Sequence, residues 1–250
     1  MSKLRNSDSK ELVLEAIRMA WPAVLESFFV ALAGMIDTMM VSTLGTYAVA
    51  AVGLTTQPKF IALALFLSSN IAVNALAARR FGQKNRENAN KILYTAIVFV
   101  IISAVIISTI TFIGADQIIR WCGSNADTHE AGVTYFRVIQ AGMIFNVLSL
   151  VINAAQRGCG NTQIAMTTNV TSSIVNIVFN YLLIGGNFGF PRLGMFGAAL
   201  ATVLGTVIAC LMSIISISKN DCFLSIPYII KHKIKPGFDA FRSIISLSFN

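Results

Sequence analysis

The sequence predicts an all-α membrane protein of six spanning helices, and three observations carry that prediction. Of its 250 residues, 55% are hydrophobic and 12% charged, whereas a soluble domain carries about 25% charged residues. Mean hydropathy is +0.71. The apolar runs are long and do not alternate. A β-barrel would read as ~10-residue alternating segments, so helices remain as the way to satisfy every backbone polar group in lipid.

The six runs lie at roughly 20–42, 48–78, 91–114, 131–155, 163–186 and 195–218. Each is long enough for about 30 Å of hydrocarbon at 1.5 Å rise per residue. The second is overlong and contains Pro58, which predicts a tilt or kink. The polar start "MSKLRNSDSKELVLEAIR" has no apolar region ending in a small-residue cleavage site, so no cleaved signal peptide is expected.

Basic residues orient the runs. Lys3, Arg5, Lys10 and Arg18 precede the first, and Arg79, Arg80, Lys84, Arg86 and Lys91 lie between the second and third. Arg157 links the fourth to the fifth, and Lys219, Lys231, Lys233, Lys235 and Arg242 follow the sixth. The other face holds Arg120 and Arg192 and an acidic loop with Asp116, Asp127 and Glu130. An excess of Lys and Arg marks the cytoplasmic side, which predicts a multi-pass protein of the cell (inner) membrane with both termini cytoplasmic. Because the +8 net charge falls in clusters between apolar runs, it does not indicate nucleic acid. The four cysteines have no CxxC spacing and read as small buried hydrophobes.

Within the first run stand two acids, Glu26 and Asp37. A carboxylate deep in a membrane helix costs ~2.5–3.5 kcal/mol on insertion scales and marks a functional site by default. Eleven residues at 100° each return to within about 20° of the starting face, so both acids share one face about 16 Å apart. Asp37 is expected to exchange a proton or bind a cation, the alternative being a structural hydrogen bond. Glu26, nearer the cytoplasmic end and able to reach water, is the weaker candidate and is expected to line the cavity and contact substrate.

Lys59, after Pro58 in the second run, either snorkels to the outer headgroups or faces the cavity, and Arg137 in the fourth reads the same way. The fourth run also carries Gly142, Asn146, Ser149 and Asn153, and the fifth Asn169, Ser173, Asn176 and Asn180. Steps of four, three and four put each set on one helical face. Two such stripes would hydrate one cavity beside Asp37, with Asn146, Asn153, Asn176 and Asn180 as lining residues; interhelical hydrogen bonding is the competing explanation. In the sixth run, Gly197, Ala201 and Gly205 recur every four residues, a small-xxx-small signal for close helix packing. There is no GxxxxGK[ST], HExxH or GxSxG, so neither an ATPase nor another enzyme is indicated.

Several stretches together resemble the multidrug and toxic compound extrusion (MATE) transporters. They are "WPAVLESFFVALAGMIDTMMVSTLG", "AVAAVGLTTQP", "AARRFGQKNRENA", "QRGCGNTQIAM", "NIVFNYLLIGG" and "LGMFGAALATVLG", in that order over roughly 20–210. The resemblance implies a twelve-helix fold of two six-helix lobes around a cleft, exporting small organic, often cationic, compounds in exchange for H+ or Na+, with no other cofactor. Asp37, in its Asp-Thr-x-Met-Val context, matches the coupling carboxylate of the N-lobe. In one branch a second carboxylate in helix five completes that site; this sequence is similar to the branch with Asn there, at Asn180 and Asn176, in which a further cation site uses acidic residues of the C-lobe. The expected organisation is thus a six-helix N-lobe over 1–218, and over 219–250 a cytoplasmic linker leading into helix seven of a C-lobe. That leaves a half that needs its C-lobe or a second half-transporter. The alternatives are a flippase of lipid-linked precursors, which would favour a strongly cationic cavity, and an inert truncated fragment.

Overall fold

A computed structural model describes residues 2–219 and 222–248, with side chains from Ala20 onward. The side chains of Lys3, Arg5, Lys10 and Arg18, counted above toward the basic face, lie outside the described part, as does the tail end at 249–250.

Every regular element among the described residues is a helix. Helix α1 (Ser2–Ser42) turns at Gly45 into α2 (Thr46–Gly82). The φ of Gly45 is 118°, a conformation that a side chain strongly disfavours. α2 runs 37 residues and carries Pro58 buried within it. α3 (Arg86–Ile113) starts on an Asn85 cap, whose side chain accepts the Asn88 N–H. A short α4 (Ala115–Trp121) then leads to α5 (Ala126–Ala141), where the Asn125 N–H donates to Thr128 Oγ1.

The fourth expected span is bent by 48° between α5 and α6 (Met143–Gly158). Gly142 sits at the bend, and a Cβ there would overlap Val203. The fifth, α7 (Thr162–Gly185), stops at Gly186 in the left-handed conformation, φ 73°. After a single 3₁₀ turn, α8 (Gly194–Ile217) forms the sixth. Two further helices, α9 (Ile226–Lys231) and α10 (Phe238–Ser248), follow.

The span count needs one refinement. Among the described residues four helices are individually long and apolar enough to cross a membrane, and the bent pair, taken as one span, makes a fifth. α7 falls short on hydropathy because of its own polar stripe, although its 24 residues suffice in length.

α7 and α8 pack most intimately, through the predicted small residues. A Cβ on Gly197 would sit 2.7 Å from Leu183 O, and one on Gly205 2.7 Å from Ser172 O. Only glycine allows that approach. On its other side α7 packs on α1. The main core joins Phe66 and Val73 of α2, Leu93 and Val100 of α3, and Val147 and Val151 of α6. A second cluster joins Val41, Ala51, Tyr135, Ile184 and Ala198 around the opposite half of the bundle.

Two of the basic segments, the α2–α3 turn and the stretch after α8, meet in the fold. Arg86 Nε and Nη2 donate to the Phe223 and Cys222 carbonyls (3.1 and 2.6 Å), and Asn90 Oδ1 accepts the Ser225 N–H at 2.8 Å. This joins the α2–α3 turn to the segment after α8.

Candidate functional site

Asp37 lies half-buried in the last third of α1. Its Oδ1 accepts a hydrogen bond from Nδ2 of Asn180, a fully buried residue on α7. The same amide reaches Asn176 Oδ1 at 3.5 Å, one turn earlier. Asn176 Nδ2 donates to Thr202 Oγ1 on α8 at 3.1 Å, and Thr202 donates to the Ala198 carbonyl at 3.1 Å. Tyr135 of α5, 4% exposed, turns its phenol toward Thr202 and lies within the field of Asp37. Lys59 of α2, half-buried, is a cation acting on Asp37 through space. Five helices therefore converge on one carboxylate.

One atom in this cluster is unfinished. Asn180 Oδ1 is buried and has no hydrogen-bond partner among the described residues. A buried carbonyl oxygen without a donor costs about 1–3 kcal/mol. It stands on the side chain that already grips Asp37. Carboxylate, amide and hydroxyl oxygens drawn together are the donor set a hard cation prefers, and a carboxylate at such a place can equally hold a proton. Among the described residues no group of three His, Cys, Asp or Glu gathers for a softer metal.

Glu26 occupies a separate place. Arg157 Nη1, at the end of α6, contacts both its carboxylate oxygens, at 3.0 and 3.3 Å. Asn169 Nδ2 of α7 donates to Oε1 at 2.5 Å. The shared acidic face of α1 thus carries one neutralised acid and one free of any ion pair within 4 Å among the described residues.

The two predicted asparagine stripes separate. Asn176 and Asn180 join the Asp37 cluster. Asn153 instead accepts from Ser213 at 3.1 Å and, with Ser149, forms a buried α6–α8 network, the interhelical alternative. Asn146 is half-buried one turn from Ser149. Sequence reading did not find Tyr135 and Thr202. Thr202 adjoins Ala201 of the small-residue stripe, but a hydroxyl in a span also serves ordinary packing, so no signal singled it out.

Comparison with known proteins follows this geometry. The MatE family model matches residues 22–182. The probable multidrug resistance protein NorM of Thermotoga maritima is 25% identical over 246 residues, covering 98% of this chain and 52% of that protein. The probable multidrug resistance protein YoeA of Bacillus subtilis is 27% identical over 200 residues, 80% of this chain and 43% of that one. Among solved structures, a MOP superfamily transporter from Pyrococcus furiosus superposes with a TM-score of 0.85 at 26% identity, covering 94% of this chain and 51% of that one. The chain spans about half the length of the relatives it matches.

Proposed function

The chain belongs to the MatE family of multi-pass membrane transporters, and from that premise we propose that it forms the N-terminal lobe, over 1–218, of an efflux antiporter for small organic, often cationic, compounds. The segment 219–250 leads toward helix seven of a C-lobe or of a second half-transporter, which completes the cleft. Both termini face the cytoplasm, on the strength of the basic residues that fall on one side of the expected spans. Members of this family transport and do not catalyse a covalent reaction.

The observation that carries the reading is the Asn180 amide on Asp37 with its own Oδ1 left unpartnered. In the proposed cycle H+ or Na+ occupies the Asp37–Asn180 site, supported by the oxygens of Asn176 and Thr202. Organic substrate occupies the cleft when the ion has left. Lys59 and Tyr135 set the local field, so that ion arrival changes the charge seen by five helices at once. Rocking of the two lobes then alternates access. Glu26, paired with Arg157 and Asn169, ties α1 to α6 and α7 at the basic end and holds the lobe together during that motion. A flippase of lipid-linked precursors would want a strongly cationic cavity; the Asp37 carboxylate with Lys59 as its through-space partner does not supply one.

The test uses the protein produced from its own gene, reconstituted in liposomes with a fluorescent organic cation. Movement of the cation against an imposed H+ or Na+ gradient is expected. Movement indifferent to both gradients, or displacement of the dye by a lipid-linked precursor, would refute the antiport reading.

A further inference from the structure

We propose that the cleft between α2, α3 and α10, at the basic end of the bundle, binds a monoanionic phospholipid of the phosphatidylglycerol class. Its phosphodiester sits between Arg80 and Lys91 and an acyl chain lies along α3. The inference rests on the reading that the chain spans a membrane and is independent of the Asp37 site.

Two neighbouring cavities support it. One, of about 250 Å³, is lined by Arg80, Asn88, Lys91, Asp239 and Ser243, with Leu76 and Ile92 at its floor. The other, of about 480 Å³, is lined by Thr95, Val98, Phe99, Ile102, Phe238 and Phe241. The α3 residues of both cavities share a stripe. Asn88, Lys91, Thr95, Phe99 and Ile102 advance by steps of three and four, so they stay on one face of the helix. That face runs from polar to apolar over about 21 Å, the order of a headgroup followed by its chain. Gly237, in the lining of the larger cavity, touches Lys91 of the smaller one. The Lys91 stem packs against Gly237, where a Cβ would overlap it, and the Gly237 N–H donates to Thr95 Oγ1 at 3.1 Å. The edge-on contact of Phe99 with Phe241 fixes α10 beside the apolar half.

The charges select the headgroup. Neither Arg80 nor Lys91 has a carboxylate within 4 Å among the described residues. The Arg80 guanidinium donates to Gln83 Oε1 at 2.9 Å, while its Nε is buried without a partner. Two cations and the Asp239 carboxylate leave the cavity with one net positive charge, which a single phosphodiester neutralises. A glycerol headgroup adds hydroxyls that can donate to Asp239. An ethanolamine headgroup would leave the positive charge in place. Basic pockets between membrane helices on the cytoplasmic side recognise lipid headgroups by this chemistry.

The test is lipid retention by the intact protein in detergent, read by native mass spectrometry with added phosphatidylglycerol, phosphatidylethanolamine, phosphatidylcholine or inorganic phosphate. Phosphatidylglycerol should be retained about tenfold over phosphatidylcholine. Arg80→Gln and Lys91→Gln should each cut that preference about fivefold, and Lys91→Arg should keep it. Asp239→Asn, at an exposed position of α10 outside the packed core, should raise retention severalfold. Equal retention of phosphatidylglycerol and phosphatidylcholine, a preference untouched by both glutamine variants and by Asp239→Asn, or tighter retention of phosphatidylethanolamine would overturn the assignment. So would competition by inorganic phosphate at the same concentration as the lipid, since the apolar stripe would then contribute nothing.

Discussion

Asp37 and Asn180 are joined by a hydrogen bond, and in the proposed cycle they act as one group. Asn180→Ala would remove the amide that fixes the carboxylate, together with the unpartnered oxygen beside it. A hydrogen bond to a charged group contributes about 1.5–3 kcal/mol, so the apparent affinity for the driving ion should fall at least about tenfold. The ion dependence of transport measures this. Glu26 and Arg157 form the other charged unit, with side chains 14% and 25% exposed. Glu26→Gln and Arg157→Gln, singly and together, should give a coupling energy of about 1–2 kcal/mol in detergent unfolding. That is below the ~3–5 kcal/mol for breaking a fully buried pair, because both groups still meet solvent. Asp37 stood out in the sequence as a candidate because a charge in an apolar run has few structural explanations, and the structure places it against Asn180. The pairing of Glu26 was not, since its partner lies 131 positions away in sequence and only tertiary packing joins them. Tyr135 and Thr202 were hidden for a similar reason: side chains of their kind are common in membrane helices, and only the five-helix convergence gives them a role.

Among the elements, the α7–α8 hairpin carries the tightest prediction. Gly205→Val would drive a branched side chain into the Ser172 carbonyl. Overpacking costs about 1–3 kcal/mol, so thermal unfolding should fall by several degrees, while a conservative change at Ile215, 60% exposed, should leave it unchanged. The small-residue spacing revealed this contact in advance. The bend between α5 and α6 was not revealed, because a lone Gly142 inside an apolar run looks like any other small residue until Val203 closes on it.

The α4–α5 corner adds a pH dependence. His129 Nε2 donates to Asp116 Oδ1 at 2.9 Å, with Ser124 against Nδ1 at 2.8 Å and the Arg120 guanidinium 2.9 Å from Oδ2. The His129 hydrogen bond first, then Arg120, hold the Asp116 carboxyl below its usual range against an opposing desolvation. A depressed carboxylate adds local order that is fully present above its ordinary value and is lost as pH falls through the lowered one. Deuterium uptake over 115–130, corrected for intrinsic exchange, should stay flat from neutral to mildly acidic pH. It should rise only in more acid solution, and Asp116→Asn should remove that rise.

At the scale of the whole molecule, α1 is the exposed wall. Only 11% of its apolar window is buried, against 39% for α2 and for α8. Trp21, Phe28, Met35 and Met39 all stand more than half exposed. Those four lie on the face of α1 opposite Asp37, so Asp37 itself is turned inward onto α7, with α2, α5 and α8 around it. Fold class and span order were legible from composition and apolar runs, because the bilayer leaves so few ways to satisfy a backbone. The weak hydropathy of α7 comes in part from the residues that reach Asp37 and Thr202, which in the proposed cycle are the ones that hold the ion.

The most direct measurement is substrate-triggered dissipation of an imposed ion gradient in liposomes, comparing the unaltered protein with Asp37→Asn. The unaltered protein should release the gradient when an organic cation is added. The variant, inserted at the same density and equally stable, should leave the gradient standing. Dissipation by Asp37→Asn at the unaltered rate would show that the driving ion binds somewhere else.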